Sequence, residues 1–284
     1  MKIAVLSGKG GTGKTFIAVN LADVINNSVY IDCDVEEPNG YLFFKPNKVN
    51  SSDVFINVPQ VDNNLCVGCR KCINFCKFNA LVQIVNKILI FDNVCHSCGG
   101  CSIICPKNAI TETQKLIGKI EVGYSNDVMI KTGVLNIGEV ANIKIINDLL
   151  TNLNPNNIII IDCPPGSSCS VMESIKDVDY CILVAEPTIF GLHNLELVYD
   201  LVQKFKKPFG VIINKVSKDK NIVDTFCEEK QITILERIEY DNHLGRLISE
   251  GEIVSRKLIK YQKLFQDLIN KVKEEVENEA DINP

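Results

Sequence analysis

Two cysteine runs with the same internal spacing impose the strongest constraint on how this chain can fold. Eight of its thirteen cysteines belong to them, and each cysteine of the first run recurs 29 positions later in the second. The runs are Cys66-x-x-Cys69-x-x-Cys72-x-x-x-Cys76 and Cys95-x-x-Cys98-x-x-Cys101-x-x-x-Cys105. Thiolates at this spacing hold a [4Fe–4S] cluster, and the fourth cysteine of each run binds the cluster of the other run.

The crossed pattern predicts four ligands for each of two clusters. Cluster I takes Cys66, Cys69, Cys72 and Cys105, and cluster II takes Cys95, Cys98, Cys101 and Cys76. The alternative is a zinc module, because paired C-x-x-C motifs also bind zinc. Structural zinc sites usually take their ligands as separated pairs, whereas four cysteines in one run suit a cube better. The spacing therefore favours iron–sulfur clusters.

A second motif lies near the start of the chain, where the apolar strand 2–6 runs into a glycine-rich loop. The loop reads Gly8-Lys9-Gly10-Gly11-Thr12-Gly13-Lys14-Thr15, and a helical pattern follows it. Strand, loop and helix in this order form a phosphate site, because backbone N–H groups and the helix N-terminus converge on the anion. We expect Lys14 to reach the β and γ phosphates and the Thr15 hydroxyl to bind Mg²⁺. The alternative, a glycine-rich turn with a chance lysine, fits the flanking pattern poorly.

Aspartates follow two of the buried strands that the sequence predicts. The strand 28–31 ends at Asp32 and Asp34, and the strand 158–161 ends at Asp162. Carboxylates at the carboxyl ends of parallel strands face the ligand crevice of a doubly wound sheet, and an aspartate at this place orients Mg²⁺ in P-loop sites. For Asp32 and Asp34 the alternative is a solvated loop.

The remaining pattern predicts the fold class and the domains. Strands at 180–184 and 209–213 alternate with helices, which indicates a doubly wound, mainly parallel α/β sheet. We predict a P-loop domain in two parts, residues 1–58 and 114–284, and a ferredoxin-like insertion at 59–113 that carries both clusters. Within the insertion, segments 81–85 and 87–91 are expected to pair across Asn86 or to flank it. An apolar stripe from Leu258 to Val276 predicts a helix that packs on the sheet rather than on a membrane.

The composition excludes several classes of protein. Hydrophobic residues make up 46% and charged residues 23% of the chain, which is typical of a soluble globular protein. A net charge of −5 gives no general attraction to nucleic acid or anionic lipid. Residues 1–8 are too short a stretch before the glycines and lysine for a signal peptide, so we expect none, and we expect no apolar run that would span a bilayer. Thirteen cysteines in this setting indicate a reducing compartment, and we expect the cytoplasm.

Lys9, directly after the first glycine of the loop, distinguishes the motif from ordinary P-loops. With segments 32–39 and 162–166 and Glu186-Pro187-Thr188, it resembles the deviant Walker A ATPases of the MinD/ParA/Mrp superfamily, which includes the nitrogenase iron protein. More narrowly, the chain is similar to members with an inserted ferredoxin domain. The cysteine at the fourth position of the first run is followed by Lys77 where ferredoxin-type runs usually have proline.

The resemblance implies a Mg²⁺-dependent ATPase that forms a nucleotide-dependent homodimer. In it, Lys9 reaches the partner's ATP and stabilises charge in the transition state, as an arginine finger does. The resemblance also implies that Asp34 positions the attacking water, that Asp162 orients Mg²⁺, and that Asn214 contacts adenine. Cys169 matches one cluster ligand of the nitrogenase iron protein, but no cysteine lies between Cys105 and Cys163 to match the second. A bridging cluster is therefore not expected, while a transient metal contact at Cys169 stays open.

These features predict an ATP-hydrolysing iron–sulfur protein that couples nucleotide state to electron transfer toward a redox or metallocluster-assembly partner. The alternative is a scaffold or carrier ATPase for iron–sulfur or other metallocluster assembly. A positioning ATPase of the ParA or MinD kind would need to bind DNA or membrane. The acidic balance argues against both, so we expect neither nucleic acid nor membrane as a partner.

Overall fold

The structure, a computed structural model, describes residues 1–85, 87–217 and 219–282, with side chains up to residue 277. The strands are β1 (Lys2–Leu6), β2 (Val29–Asp32), β3 (Asn47–Val61), β4 (Leu81–Ile84), β5 (Lys87–Ile90), β6 (Ile110–Ser125), β7 (Val128–Leu135), β8 (Ile159–Asp162), β9 (Tyr180–Ala185), β10 (Phe209–Val216) and β11 (Ile234–Glu239). The α-helices are α1 (Lys14–Asp23), α2 (Gly40–Phe44), α3 (Lys71–Phe75), α4 (Gly100–Ile103), α5 (Asn142–Leu149), α6 (Cys169–Ile175), α7 (Ile189–Lys204), α8 (Ile222–Glu229), α9 (Asn242–Ser249), α10 (Val254–Lys257) and α11 (Ile259–Ile282).

Most described strands form one sheet in the order β11-β10-β9-β1-β8-β2-β7-β6-β3. Neighbours from β11 to β7 are parallel, and β7, β6 and β3 pair antiparallel. The central strands β1 and β8 are almost wholly buried, as continuous aliphatic runs in a parallel sheet covered on both faces must be. The predicted mainly parallel α/β fold is therefore confirmed.

Each face of the sheet carries its own apolar core. Side chains of α5, α6, α7 and α8 cover one face, and α1, α10 and α11 cover the other. The predicted C-terminal stripe lies inside the second core, where Phe265 of α11 meets Phe16 of α1 edge to face with ring centroids 5.6 Å apart. Within the described residues, no helix has the length and apolar character needed to span a bilayer.

The strands β3 and β6 form a long antiparallel pair that extends beyond the rest of the sheet. They pair as far as Val61 with Ile110, whereas β7 pairs with β6 only between Gly118 and Ser125. We call the protruding part, residues 55–61 and 110–117, the ribbon. The expected domain boundaries, 58/59 and 113/114, fall inside these two strands.

Residues 62–85 and 87–109 fold at the end of the ribbon, and we call them the cysteine lobe. In it, β4 and β5 form the antiparallel hairpin expected for this region, with Leu81 opposite Ile90; Asn86 lies outside the described residues. The strands β3, β6 and β7 were not predicted from the sequence. The first seven residues of β3 are exposed, and only Val54, Ile56 and Val58 show the alternation that marks a strand with one buried face.

Candidate nucleotide site and cysteine cavities

The glycine-rich loop connects β1, at the centre of the sheet, to α1. Two of its glycines are required by close approach. A Cβ on Gly8 would lie 2.0 Å from the Asn194 carbonyl oxygen, and one on Gly13 would lie 2.2 Å from Nδ2 of Asn214. Gly13 also has φ +95°, a left-handed conformation that other residues adopt only with strain. The loop is therefore fixed against α7 and β10 by backbone contacts that side chains would block.

Lys14 and Asp162 form a buried ion pair beside the loop, and Tyr30 is hydrogen-bonded to the same carboxylate. The Tyr30 hydroxyl donates a hydrogen bond of 2.8 Å to the second carboxylate oxygen of Asp162. Burial by itself lowers the pKa of Lys14, but the charge of Asp162 and then that of Asp32 outweigh it and raise this pKa. Lys14 is consequently charged, its ammonium group is paired with Asp162, and its contact with phosphate stays a prediction.

Asp32 and Asp34 have different surroundings although they are two residues apart. Asp32 is buried and accepts hydrogen bonds from the backbone N–H groups of Asp34, Asn39 and Gly40, at 2.9 to 3.2 Å. Burial, and next the charge of Asp162, raise the pKa of Asp32 to about 7. Asp34 is only partly buried and lines a cavity with Glu37, Pro164 and Ser168, among others. Asp32 thus holds the segment 34–40 in place through backbone hydrogen bonds. Asp34 is the carboxylate that faces open space.

Glu186 holds two lysines near the glycine-rich loop. One carboxylate oxygen lies 3.2 Å from Nζ of Lys9, and the other lies 2.6 Å from Nζ of Lys215. Lys215 also donates a 2.9 Å hydrogen bond to the carbonyl of Gly11. Burial alone would raise the pKa of Glu186, but its bonds to Lys215 and Lys9 lower it. In this single chain Lys9 is therefore paired internally, and its contact with a partner's ATP stays a prediction.

Asn214, on β10, contacts the glycine-rich loop at Thr12. Its side-chain amide donates a 2.8 Å hydrogen bond to the carbonyl of Thr12, and both residues are buried. Within the described part of the chain, Oγ1 of Thr12 is buried without a hydrogen-bond partner. Thr15 is partly exposed in the first turn of α1, next to Lys14. Asn214 thus supports the loop from β10, and its contact with adenine remains a prediction.

The eight cysteines of the two runs surround two separate cavities. The first, which we call the outer cavity, contains Cys66, Cys69, Cys72 and Cys105 in its wall, together with Val61 and Ile110 at the end of the ribbon. The second, the inner cavity, contains Cys76, Cys95, Cys98 and Cys101, together with Pro59 and Glu112. Pro59 pairs with Glu112, two residues nearer the sheet than the pair of Val61 with Ile110. The structure thus brings together the same two crossed sets that the spacing predicts.

The donor set and surroundings of both cavities fit [4Fe–4S] clusters. Burial raises the pKa of the Cys72 thiol, and the charges of Cys105 and Cys66 raise it further, so these groups are electrostatic neighbours. Among the described residues, no group of three or more His, Cys, Asp or Glu side chains is placed to hold a metal ion. The thiols lie around the cavity walls instead, and each thiolate of a cubane cluster binds a separate iron.

Aromatic side chains cover part of the inner cavity. Phe78 and His96, both in its wall, stack with ring centroids 3.8 Å apart and an interplanar angle of 16°. Ser97 donates a 2.6 Å hydrogen bond to the carbonyl of Asn57 in the ribbon. The loop that contains Cys95 and Cys98 is therefore attached to β3, which fixes the inner cavity relative to the sheet.

The remaining cysteines lie apart from both cavities. Cys33, Cys163, Cys181 and Cys227 are buried, and Cys169 is exposed at the start of α6. Sequence reasoning did not identify Tyr30, Glu186 and Lys215 as site residues. Glu186 and Lys215 do carry a signal, because each directly follows the buried part of a parallel strand. Tyr30 carries none, since an aromatic residue within a strand reads as core.

Strand, glycine loop and helix at the centre of a parallel sheet, with Lys14 and Asp162 paired beside the loop, define a P-loop nucleotide-binding α/β protein. The chain belongs to the CobQ/CobB/MinD/ParA nucleotide-binding domain family, and the sequence model of that family matches residues 3–254.

Relatives of the chain occur in Methanocaldococcus jannaschii. The chain is 32% identical to the uncharacterized protein MJ0578 over 280 residues, which are 96% of this chain and 97% of that protein. It is also 32% identical to the uncharacterized protein MJ0579 over 248 residues, 80% of this chain and 90% of that protein. Both relatives are covered over nearly their whole length, so the likeness is not confined to the P-loop.

Solved structures of MinD show the same fold. The cell division ATPase MinD of Pyrococcus furiosus superposes with a TM-score of 0.60 at 18% identity, covering 96% of this chain and 98% of that one. MinD of Pyrococcus horikoshii, in complex with Mg-ADP, superposes with a TM-score of 0.57 at 19% identity, covering 95% of each chain. At these identities the likeness concerns the fold alone.

Proposed function

We propose that the chain is an ATP-binding and ATP-hydrolysing protein that holds two [4Fe–4S] clusters and couples its nucleotide state to electron transfer. The recipient would be a redox or metallocluster-assembly protein. Within its family the chain would then belong with the members that carry an inserted ferredoxin domain. Family membership and the P-loop geometry support the nucleotide half of the proposal, and the eight cysteines around two cavities support the other half.

The nucleotide half assigns tasks to four charged residues of the site, Lys14, Asp162, Asp34 and Lys9. Lys14 exchanges the carboxylate of Asp162 for phosphate oxygens, which leaves Asp162 free to orient Mg²⁺ and its waters, together with the hydroxyl of Thr15. Asp34 faces open space and positions the attacking water. Lys9 leaves Glu186 and reaches the ATP of a second copy in a nucleotide-dependent homodimer. Oγ1 of Thr12 supplies a further buried polar atom beside the phosphates.

The cysteine half assigns four thiolates to each cluster: Cys66, Cys69, Cys72 and Cys105 in the outer cavity, and Cys95, Cys98, Cys101 and Cys76 in the inner cavity. When bound, such clusters supply one-electron transfer at potentials that the surrounding charges and hydrogen bonds set. Apolar side chains in the walls limit the access of water. Ile88 and Val61 do so in the outer cavity, and Leu81 and Phe75 in the inner one.

Contacts that lead from the segment after Asp34 to the cysteine lobe support the proposed coupling. The carbonyl of Val35 accepts a 2.8 Å hydrogen bond from the N–H of Leu135, at the end of β7. Beyond this point, Glu139 lies 2.9 Å from Nζ of Lys115 in the ribbon, and Lys115 lies 3.4 Å from Asp92 in the lobe. Asp92 precedes Cys95 by three residues.

A second contact attaches the same segment to α5. The side-chain amide of Asn142, the first residue of α5, donates a 2.9 Å hydrogen bond to Glu36. A change in the segment after Asp34 when the γ-phosphate binds or leaves would therefore act on β7 and α5 together. Order and disorder of such a segment is a common way for a nucleotide to switch a protein.

Redox titration of anaerobically purified protein tests the proposal. We expect the midpoint potential of at least one cluster, or the rate at which an acceptor is reduced, to change when a non-hydrolysable ATP analogue and Mg²⁺ are added. ADP and Mg²⁺ serve as the control, because they lack the γ-phosphate. Equal potentials and equal rates in all nucleotide states would contradict the coupling, and protein without iron and sulfide would contradict the clusters.

The exposure of one cysteine in each cavity favours a second candidate function, a scaffold or carrier for metallocluster assembly. Cys69 and Cys98 are exposed, whereas Cys72, Cys95 and Cys101 are buried. An exposed ligand is open to attack by the thiol of an acceptor protein. Transfer of iron and sulfide to an apo-ferredoxin, measured after separation of the two proteins, favours this candidate, and full retention through many ATP turnovers favours electron transfer.

A further inference from the structure

The two cysteine cavities differ in their distance from the nucleotide-binding body. The register of the ribbon places the outer cavity at its end, beside Val61 and Ile110, and the inner cavity at Pro59 and Glu112. Two residues of strand correspond to about 7 Å along the ribbon. The ion pair of Lys115 with Asp92, three residues before Cys95 of the inner cavity, attaches the lobe to the ribbon on the inner side. The outer cavity is therefore the one that a second protein can approach with least obstruction.

The cavities also differ in charge. The wall of the outer cavity contains Arg70, Lys71 and Lys107, and its described residues include no Asp or Glu. The wall of the inner cavity contains Glu112 and no Lys or Arg among its described residues. Within the described chain, none of the three cations of the outer wall takes part in an ion pair, although Nε of Arg70 donates a 2.7 Å hydrogen bond to Gln83. This local positive charge contrasts with the net charge of −5 for the whole chain.

An exposed apolar side chain lies among these cations. Val67, in the same wall, is 62% exposed, and Leu65 nearby is 51% exposed. An apolar centre inside a polar, charged rim is typical of a transient protein–protein interface. A site for a small anion would not need the apolar centre, and a nucleic-acid site would need a more extended row of cations.

We propose that Arg70, Lys71 and Lys107 form a docking surface for the acidic face of a one-electron redox protein. The inference rests on the proposed function, because it needs a cluster in the outer cavity. One electron then passes from the outer cluster, previously reduced by a low-potential one-electron donor, to the acceptor group of the docked protein, which is reduced by one electron. Opposite charges on the two surfaces accelerate the encounter and make it sensitive to salt.

Small acceptors of opposite charge test the surface without knowledge of the partner. Protein that contains iron and sulfide is reduced with dithionite, freed of the excess, and mixed with ferricyanide or with hexaammineruthenium(III) in a stopped-flow instrument. At about 0.01 M ionic strength, where the screening length is about 30 Å, we expect the variant Lys71→Gln/Lys107→Gln to react with ferricyanide about tenfold more slowly than the parent. The difference should shrink at about 0.1 M, and the rate with the cationic acceptor should not fall.

The matched control is Lys77→Gln/Lys87→Gln, which removes two exposed lysines of the same lobe that lie outside both cavity walls. It should keep the rate of the parent. The test variant Lys71→Gln/Lys107→Gln keeps Arg70 and so leaves its hydrogen bond to Gln83 intact. Equal iron content in the parent and both variants shows that the lobe is folded. Each acceptor is compared only with itself across variants, since the two differ in driving force.

The outcomes separate the docking surface from the function on which it rests. A parent protein without iron and sulfide overturns the proposed function. A fully loaded Lys71→Gln/Lys107→Gln variant with the rate and salt dependence of the parent overturns only the docking surface. Equal losses in the control variant overturn it as well, because the charge of the whole lobe would then be responsible. Retention on duplex DNA that depends on the same lysines would overturn it in favour of phosphate binding.

Discussion

Lys115 lies between two carboxylates that belong to different parts of the molecule. Its ammonium group is 2.9 Å from Glu139, in the loop after β7, and 3.4 Å from Asp92, in the cysteine lobe. Burial lowers the pKa of Lys115, but its bonds to Glu139 and Asp92 outweigh this effect and raise the pKa. Through Lys115, the loop after β7 is therefore linked by charge to the cysteine lobe.

Replacement of Lys115 by Met should uncouple the nucleotide site from the clusters. Met keeps much of the volume of the lysine stem but loses both ion pairs. We expect ATP binding and iron content to remain, and the nucleotide-dependent change of midpoint potential to shrink or disappear. Lys119→Met is the control, because Lys119 lies on the same strand and, among the residues that the structure describes, forms an ion pair only with Glu121 of that strand. A full nucleotide-dependent change in Lys115→Met would show that coupling takes another route.

Combined cysteine substitutions should reveal the crossed ligand sets. Cys105→Ala is expected to remove one cluster and about half of the iron. Adding Cys66→Ala should cause little further loss, because both cysteines line the outer cavity, whereas adding Cys95→Ala should remove the second cluster too. Iron analysis and EPR of the reduced protein measure this. Cys227→Ala, in α8, is the control, and the opposite pattern of additivity would mean that each run binds its own cluster.

Replacement of Lys9 by Ala should lower ATP turnover by a factor of about 10³, the lower end of the effect of an arginine finger. ATP binding should change little, because Lys14 and the loop backbone remain. Phosphate release and equilibrium nucleotide binding distinguish the two steps. Lys215→Ala is the control, since Lys215 binds the same Glu186 but has no predicted contact with ATP. If both variants lose turnover equally, the Glu186 network, and not a contact across a dimer, accounts for the effect of Lys9.

The stability of the nucleotide-free protein should fall as the pH rises toward 7. The pKa of Asp32 is about 7 in the folded chain, against a reference value of 3.8. Between these values the folded chain binds more protons than the unfolded chain, so the free energy of unfolding decreases with increasing pH. Above about pH 7 the contribution of Asp32 levels off. Asp32→Asn should therefore make the melting temperature depend less on pH between about 5 and 7.

Mg²⁺ and nucleotide provide a further check on Asp32, because a nearby cation favours the charged carboxylate. Their addition should reduce the pH dependence of the parent. Asp53→Asn, an exposed position on β3, is the control and should keep the pH dependence of the parent. A parent protein whose melting temperature rises steadily from about pH 5 to 7 would contradict the assignment of this titration to Asp32.

The sequence predicted the local motifs of this molecule better than it predicted the path of the chain between them. The glycine loop, the aspartates at strand ends and the C-terminal helix were readable because each depends on neighbouring residues and on one period. The ribbon was not predicted, since β3 begins with an exposed, polar stretch whose pairing with β6 compensates for its weak pattern. Tertiary contacts can override such local preferences.

Sequence alone determined the kinds of chemical group in this protein and their local order: eight thiols in two runs of equal spacing, and two lysines among four glycines at a strand-to-helix turn. Only the tertiary structure decided which distant groups meet. Lys14 contacts Asp162 across a separation of 148 residues, and Thr12 contacts Asn214 across 202 residues. Likewise, the register of the ribbon places one cavity nearer the sheet and leaves the other, with its cations, at the far end. Spacing fixes the reach of a short segment, but contacts between distant segments follow from strand order and register, which the whole core sets at once.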